Sequence, residues 1–210
     1  MNQDYRNNSN KLIRDKYLAY AGYLILALIV TAIGAFVGMT FHLHPFILII
    51  LFIVEMIFFQ ATNGGLKKII FYLFCASEGL IVSTSIKYYL HIDTSIIYEA
   101  IIVTMLVTVL SLFIGYIARD LSGLRLPLTV ALIVLFILTI VSLFVYMPFL
   151  TYLLAALFAI YIAYDINCYK RLLQSTNGNI TTDEILHHVM QQQVNITALF
   201  IEILDIVGRD

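Results

Sequence analysis

Apolar residues fill most of the chain in long runs broken by short polar interruptions. Seven runs stand out: residues 17–41, 46–61, 69–90, 96–118, 126–146, 148–169 and, far more polar than the rest, 185–208. A helix of about 20 residues, rising about 1.5 Å per residue, crosses about 30 Å of hydrocarbon, and most of the runs have that reach. Backbone in lipid must satisfy its own polar groups, and runs this long and continuous do not read as barrel strands, so the pattern predicts seven helices. The interruptions at 42–45, 62–68, 91–95, 121–125, 147 and 170–184 leave no room for a soluble domain. The predicted class is an all-α membrane protein, with residues 1–16 a cytoplasmic N-terminal segment and 17–208 a single seven-helix transmembrane domain. The first run lacks a convincing small-residue cleavage site and reads as a retained anchor.

Composition agrees with this and excludes other classes. Of 210 residues 61% are hydrophobic and only 12% charged, about half the charged share of a soluble domain. Twelve Lys and Arg against thirteen Asp and Glu leave a net charge of −1, so no basic surplus supports nucleic-acid binding. The basic residues are unevenly placed. Arg6, Lys11, Arg14 and Lys16 precede the first run, and Lys67, Lys68, Arg119, Arg125, Lys170 and Arg171 fall in alternate connections, which puts ten of the twelve on one side. The positive-inside rule makes that side cytoplasmic, with the N-terminus inside and, if the last run crosses fully, the C-terminus outside. Tyr17, Tyr88, Tyr89, Tyr98, Tyr116, Tyr146 and Tyr169 fall near helix ends, as an interfacial aromatic belt does.

Candidate chemistry lies in carboxylates inside the runs: Glu55, Glu78, Asp165, Glu202 and Asp205, with Glu99 near the outer end of the fourth. A charged residue at the centre of a spanning helix costs about 3 kcal/mol on insertion scales, so it normally faces protein, water or an ion. Lys87 is the only basic residue read as near these spans, and it can snorkel outward. An acidic interior is neutralised by protons or by a cation, and oxygen-only ligands suit a hard ion such as Ca2+. Each acid could instead be hydrogen-bonded helix glue. Along the seventh run His187, Gln191, Asn195, Ala198, Glu202 and Asp205 recur at helical spacing, a polar stripe opposite Ile196, Leu199, Ile203 and Ile206. That predicts a helix among greasier neighbours with its stripe lining a cavity, a helix lying in the interface being the alternative. Thr181 and Glu184 have capping-box spacing ahead of it.

Other features read as structural. Gly34 and Gly38 form a GxxxG spacing, which signals close helix packing. Gly64 and Gly65 read as a turn, Cys75 and Cys168 as packing residues without a disulfide framework, and His187 and His188 as either solvated or pH-sensing. Asn195-Ile196-Thr197 is a glycosylation sequon inside a membrane run and carries no weight.

Four short patterns carry a resemblance. They are Gly115-Tyr116-Ile117-Ala118-Arg119-Asp120-Leu121-Ser122-Gly123-Leu124, Ala76-Ser77-Glu78-Gly79-Leu80, Tyr98-Glu99-Ala100 and Ile162-Ala163-Tyr164-Asp165-Ile166-Asn167. In this order, and over essentially the whole chain, they resemble the transmembrane Bax inhibitor motif family. The resemblance implies two three-helix layers around a central seventh helix, and a calcium leak gated by pH and calcium. It also implies a sensor made of two aspartates that share a proton when closed. Asp165 matches the first, and aligning Leu199-Phe200-Ile201 puts Asn195 at the second. Asn has no titrating proton, so the usual switch is expected to be blunted, with Asn195 donating its amide to Asp165. By depth along the helices Gln191 is the nearer match to Asp165.

The expected function is therefore a pH- and calcium-sensitive calcium leak channel, not an enzyme. Asp165, Asn195 and Gln191 form its gate and pH sensor, and Glu55, Glu78, Glu99, Glu202 and Asp205 its ion pathway. Asp165, Glu78 and Glu202 are expected to hold Ca2+ transiently, as transported ion rather than resident cofactor. The expected partners are the lipid bilayer, Ca2+ and protons, in a bacterial cytoplasmic membrane; protein partners are left open. A proton-coupled cation exchanger and a non-conducting scaffold in cell death or stress are the alternatives. An intramembrane aspartyl protease lacks its second aspartate motif, and a retinal pump lacks a lysine in the seventh helix.

Overall fold

A computed structural model describes residues 2–41, 45–142, 144–145 and 147–209 of the chain. Among them are seven α-helices and no strand: α1 Asn2–Thr40, α2 Pro45–Ala61, α3 Gly64–Leu90, α4 Thr94–Ile117, α5 Arg125–Ser142, α6 Phe149–Ser175 and α7 Thr182–Val207, with a 3-10 turn at Ser122–Leu124 before α5. Five of them, all but α2 and α7, are long and apolar enough to cross a membrane. The apolar α2 has 17 residues, the lower end of what spans hydrocarbon, and α7 is set apart by its polar positions.

The helix ends depart from the hydropathy pattern where polar residues are helical. The expected segment 1–16 is continuous with α1, and α3 begins at Gly64, so the glycine pair opens a helix rather than filling a loop. The Gly64 N–H is met by the Asp183 carboxylate at 2.9 Å. The sixth helix runs to Ser175 and is ended by Asn177 and Gly178, both in the left-handed region at φ 52° and 77°. There the Gly178 N–H reaches back to the Leu173 carbonyl at 2.8 Å, the turn in which glycine avoids the Cβ penalty. The fifth helix ends earlier than expected, at Ser142. Its predicted end Tyr146 and residues 42–44 of the connection at 42–45 lie outside the described residues.

The α7 start follows the sequence closely. Thr181 N–H and hydroxyl donate to the Glu184 carboxylate at 2.7 and 2.8 Å, and Glu184 N–H returns to the Thr181 hydroxyl at 3.2 Å. These bonds hold the Glu184 carboxyl below its usual value near 4.5. Folding therefore favours the ionised form, and the cap is at full strength above the unfolded value and fades as pH falls through the lowered one. Glu184→Ala is expected to lower the thermal midpoint by a few degrees at neutral pH. The gap from wild type should close as pH falls below the usual carboxylate range, read by thermal unfolding in detergent.

The clearest membrane signature is the inverted face of α4. Its buried positions are Ala100, Thr104, Ser111 and Gly115, while Met105, Leu106, Val109, Leu110 and Phe113 are exposed. Small residues toward protein and large apolar ones outward is the arrangement of a helix whose solvent is lipid. The chain divides into two compact units, Met1–Tyr88 with Tyr169–Gln193, and Tyr89–Cys168 with Val194–Asp210. In the first, α1 and α3 approach through Gly34 and Gly79: a Cβ on Gly34 would fall on the Ala76 carbonyl, and one on Gly79 on the Thr31 carbonyl. The GxxxG reading thus holds for Gly34, and Gly38 meets Ser83 in the same way. In the second, Leu128, Leu135, Leu150 and Leu157 form a core flanked by Tyr161 and Tyr164.

Candidate functional site

In the second unit α6 carries Asp165 and α7 carries Asn195. The Asn195 amide nitrogen donates to Asp165 Oδ2 at 2.6 Å, and Asp165 is 9% exposed. Two residues further along α6, Asn167 is fully buried. Its amide nitrogen donates to the Gly115 and Ala118 carbonyls at 3.0 and 2.9 Å, and its carbonyl accepts from Leu121 N–H at 3.0 Å. The last carbonyls of α4 have no partner within their own helix, and Asn167 supplies one. A Cβ on Gly115 would overlap the Ala163 carbonyl. Two of the short patterns thus acquire a physical meaning: 115–124 offers an uncapped helix end, 162–167 the capping amide, and the joint fixes the turn of α6 that presents Asp165. Asn167 escaped the sequence reading, although an amide two residues from a buried acid in an apolar helix was the available signal.

Gln191 lies in the first unit, is exposed, and its amide meets His187 Nε2 at 3.3 Å. Glu99 is also exposed, on the outer side of α4 beside the buried Ala100, and so does not line the interior of its unit. Asp205 is clamped. It accepts from the Tyr89 hydroxyl at 2.7 Å and the Thr151 hydroxyl at 2.9 Å, and pairs with Arg209, which also donates to the Pro148 carbonyl at 2.9 Å. Asp205 thus has a countercharge in the exposed Arg209. Glu202, one turn earlier, is half-buried.

In the first unit Glu55 bonds the Ser77 hydroxyl, Glu78 is buried at 3% exposure, and Lys87 reaches the Phe41 carbonyl at 2.6 Å. Asp165 and Glu202 belong to the second unit and Glu78 to the first. Among the described residues no three His, Cys, Asp or Glu side chains gather to hold a metal ion. Periodicity assigns a residue to a face of its helix and leaves open which helices that face meets. The α7 stripe is corrected in the same way: His187 and Gln191 are exposed and the rest only half-buried, whereas Gln192, Gln193 and Thr197 are buried with Ile196, Leu199 and Ile203. Gln193 donates to the Thr31 hydroxyl at 2.8 Å, and Thr31 to the Cys75 carbonyl at 3.0 Å, a buried relay from α7 through α1 to α3. Of the tyrosine belt, Tyr88, Tyr98 and Tyr116 are exposed, while Tyr89 and Tyr169 are buried, holding Asp205 and the Lys16 carbonyl.

A family model described as "Inhibitor of apoptosis-promoting Bax1" matches residues 12–210. The chain belongs to the Bax inhibitor family. Similar relatives within reach of this Bax inhibitor family protein are uncharacterized membrane proteins from two strains of Streptococcus pyogenes serotype M3. Each is 27% identical over 169 residues, spanning 75% of this chain and 72% of the relative. Integral, multi-pass membrane character follows from the apolar helices and agrees with the names of these relatives.

Proposed function

We propose that this Bax inhibitor family protein is a calcium leak channel, without catalytic chemistry, whose closed state is held by Asn195 donating to Asp165. The observation that carries the reading is this single half-buried bond, 2.6 Å long, between α6 and α7. An amide donates its proton without exchanging it, so the closure needs no shared proton, and with Asp165 as the one titrating group of the pair flux is expected to depend less on pH than where two acids face each other. The proposed orientation has the N-terminus and the basic connections on the cytoplasmic side of a bacterial membrane, supported by the placing of ten of the twelve basic residues.

The test uses purified protein in liposomes with a calcium dye inside and a pH dye outside. Calcium entry is expected without obligatory proton movement. Asp165→Ala should raise basal entry several-fold, because a hydrogen bond of about 1 kcal/mol is lost from the closed state alone. Entry strictly coupled to protons makes the protein an exchanger. Entry no faster than in empty liposomes removes both transport readings and leaves the scaffold.

A further inference from the structure

The first unit contains an open cleft of about 520 Å3 that borders Asn63, Lys67, Asp183, Glu184, His187 and His188. Its size is that of a small-molecule site. Lys67 belongs to the first turn of α3, His187 and His188 lie near the start of α7, and Leu172, also at the cleft, lies in the last turn of α6. The cleft therefore sits where apolar helices end.

Lys67 is 8% exposed. Its ammonium stands 4.6 Å from the centre of the Phe59 ring and makes no hydrogen bond or ion pair with any described residue. A buried ammonium with the Phe59 ring and the His187 imidazole near it, and no anion paired with it among the described residues, keeps part of its desolvation cost, which an oxyanion in the cleft would offset. Asp183 and Glu184 border the same cleft without pairing with Lys67. Each commits one carboxylate oxygen, Asp183 to Gly64 N–H and Glu184 to Thr181, and each leaves the other oxygen uncommitted among the described residues. His187 Nε2 faces the Gln191 amide nitrogen, which only donates, so the neutral ring carries its proton on Nδ1. A plain anion entering here meets two carboxylates, and a plain cation meets a buried ammonium. A molecule with both charges answers both.

We propose that this cleft binds a small zwitterion, its oxyanion on Lys67 and its primary ammonium on Asp183 and Glu184, the chemistry of a phosphoethanolamine group. The group comes from a membrane lipid or from a free phosphoethanolamine, and the site is independent of the calcium reading.

The full chain, purified in detergent, is titrated with phosphatidylethanolamine of short acyl chains, the matching phosphatidylcholine and phosphatidylglycerol, free phosphoethanolamine and inorganic phosphate. The readouts are the thermal midpoint and retained lipid by native mass spectrometry. The expected result is a saturable rise with phosphatidylethanolamine and at least tenfold weaker effects of phosphatidylcholine, which lacks ammonium N–H donors, and of phosphatidylglycerol, which lacks the ammonium. Lys67→Gln should weaken binding at least tenfold and Lys68→Gln should not. Asp183→Asn keeps an acceptor for Gly64 N–H and should still weaken the zwitterion, so it decides the matter if Lys67→Gln fails to fold. Binding of the free compound as well as the lipid admits a soluble source; binding of the lipid alone assigns the site to the membrane. Equal responses to all three lipids, inorganic phosphate matching phosphoethanolamine, or no saturable response overturn the proposal.

Discussion

Asn195→Asp is expected to make calcium flux change more steeply with pH than in the wild type between about pH 6 and 8. In the wild type Asn195 donates to Asp165 Oδ2 at 2.6 Å in a site where Asp165 is 9% exposed. The substitution replaces the amide nitrogen by a second carboxylate oxygen at the same distance. Two carboxylates this close are joined by a hydrogen bond only when they share a proton, and they repel when both are ionised. Closure then becomes conditional on proton concentration, and acidification favours the closed pair. The same liposome assay run across pH reads the change, and the thermal midpoint of the variant should become pH-dependent over the same interval. A variant whose flux and midpoint vary with pH no more than the wild type's would remove this pair as a gate.

Gly79→Leu should abolish the folded protein, and Gly79→Ala should already cost about 1–3 kcal/mol or more. A Cβ at this position falls on the Thr31 carbonyl and crowds Ala35 N, both of them backbone of α1. Backbone cannot swing aside as the tip of a long side chain does, so α1 and α3 must separate, disturbing the contact that also brings Gly34 onto the Ala76 carbonyl. Gly22→Ala in α1 is the contrasting case: nothing lies within 4 Å of its added Cβ, and alanine favours a helix over glycine by about 0.5–1 kcal/mol. The same chemical change should therefore destabilise at position 79 and stabilise at position 22. Folded yield by size-exclusion chromatography and the thermal midpoint in detergent measure both. A Gly79→Ala variant as stable as wild type would show that the two helices do not meet as closely as described.

Much of the fold was legible because lipid imposes a local rule: a segment that must satisfy its own backbone and expose apolar side chains declares itself along the sequence. The polar helical turns were not, since residues 2–16 of α1 and 170–175 of α6 look like connections to any reading based on apolarity. Asp165 was legible as an acid in an apolar run, and Asn195 through the register of Leu199-Phe200-Ile201. The exposure of Gln191 was not legible, because height along a helix says nothing of azimuth, and neither was the Asp205 clamp, which draws on Tyr89, Thr151 and Arg209, residues 4 to 116 positions away.

The sequence by itself determined seven helices, the Thr181–Glu184 cap, the glycine approach in α1 and the family to which the chain belongs. Only the tertiary structure decided which face of α7 is buried, that Asn167 fixes the turn beneath Asp165, that Arg209 neutralises Asp205, and that Lys67 is enclosed beside Phe59. The division has one physical cause. Hydropathy, capping and helical period act between residues a few positions apart, whereas the partner of a buried polar group is chosen by which helices pack together.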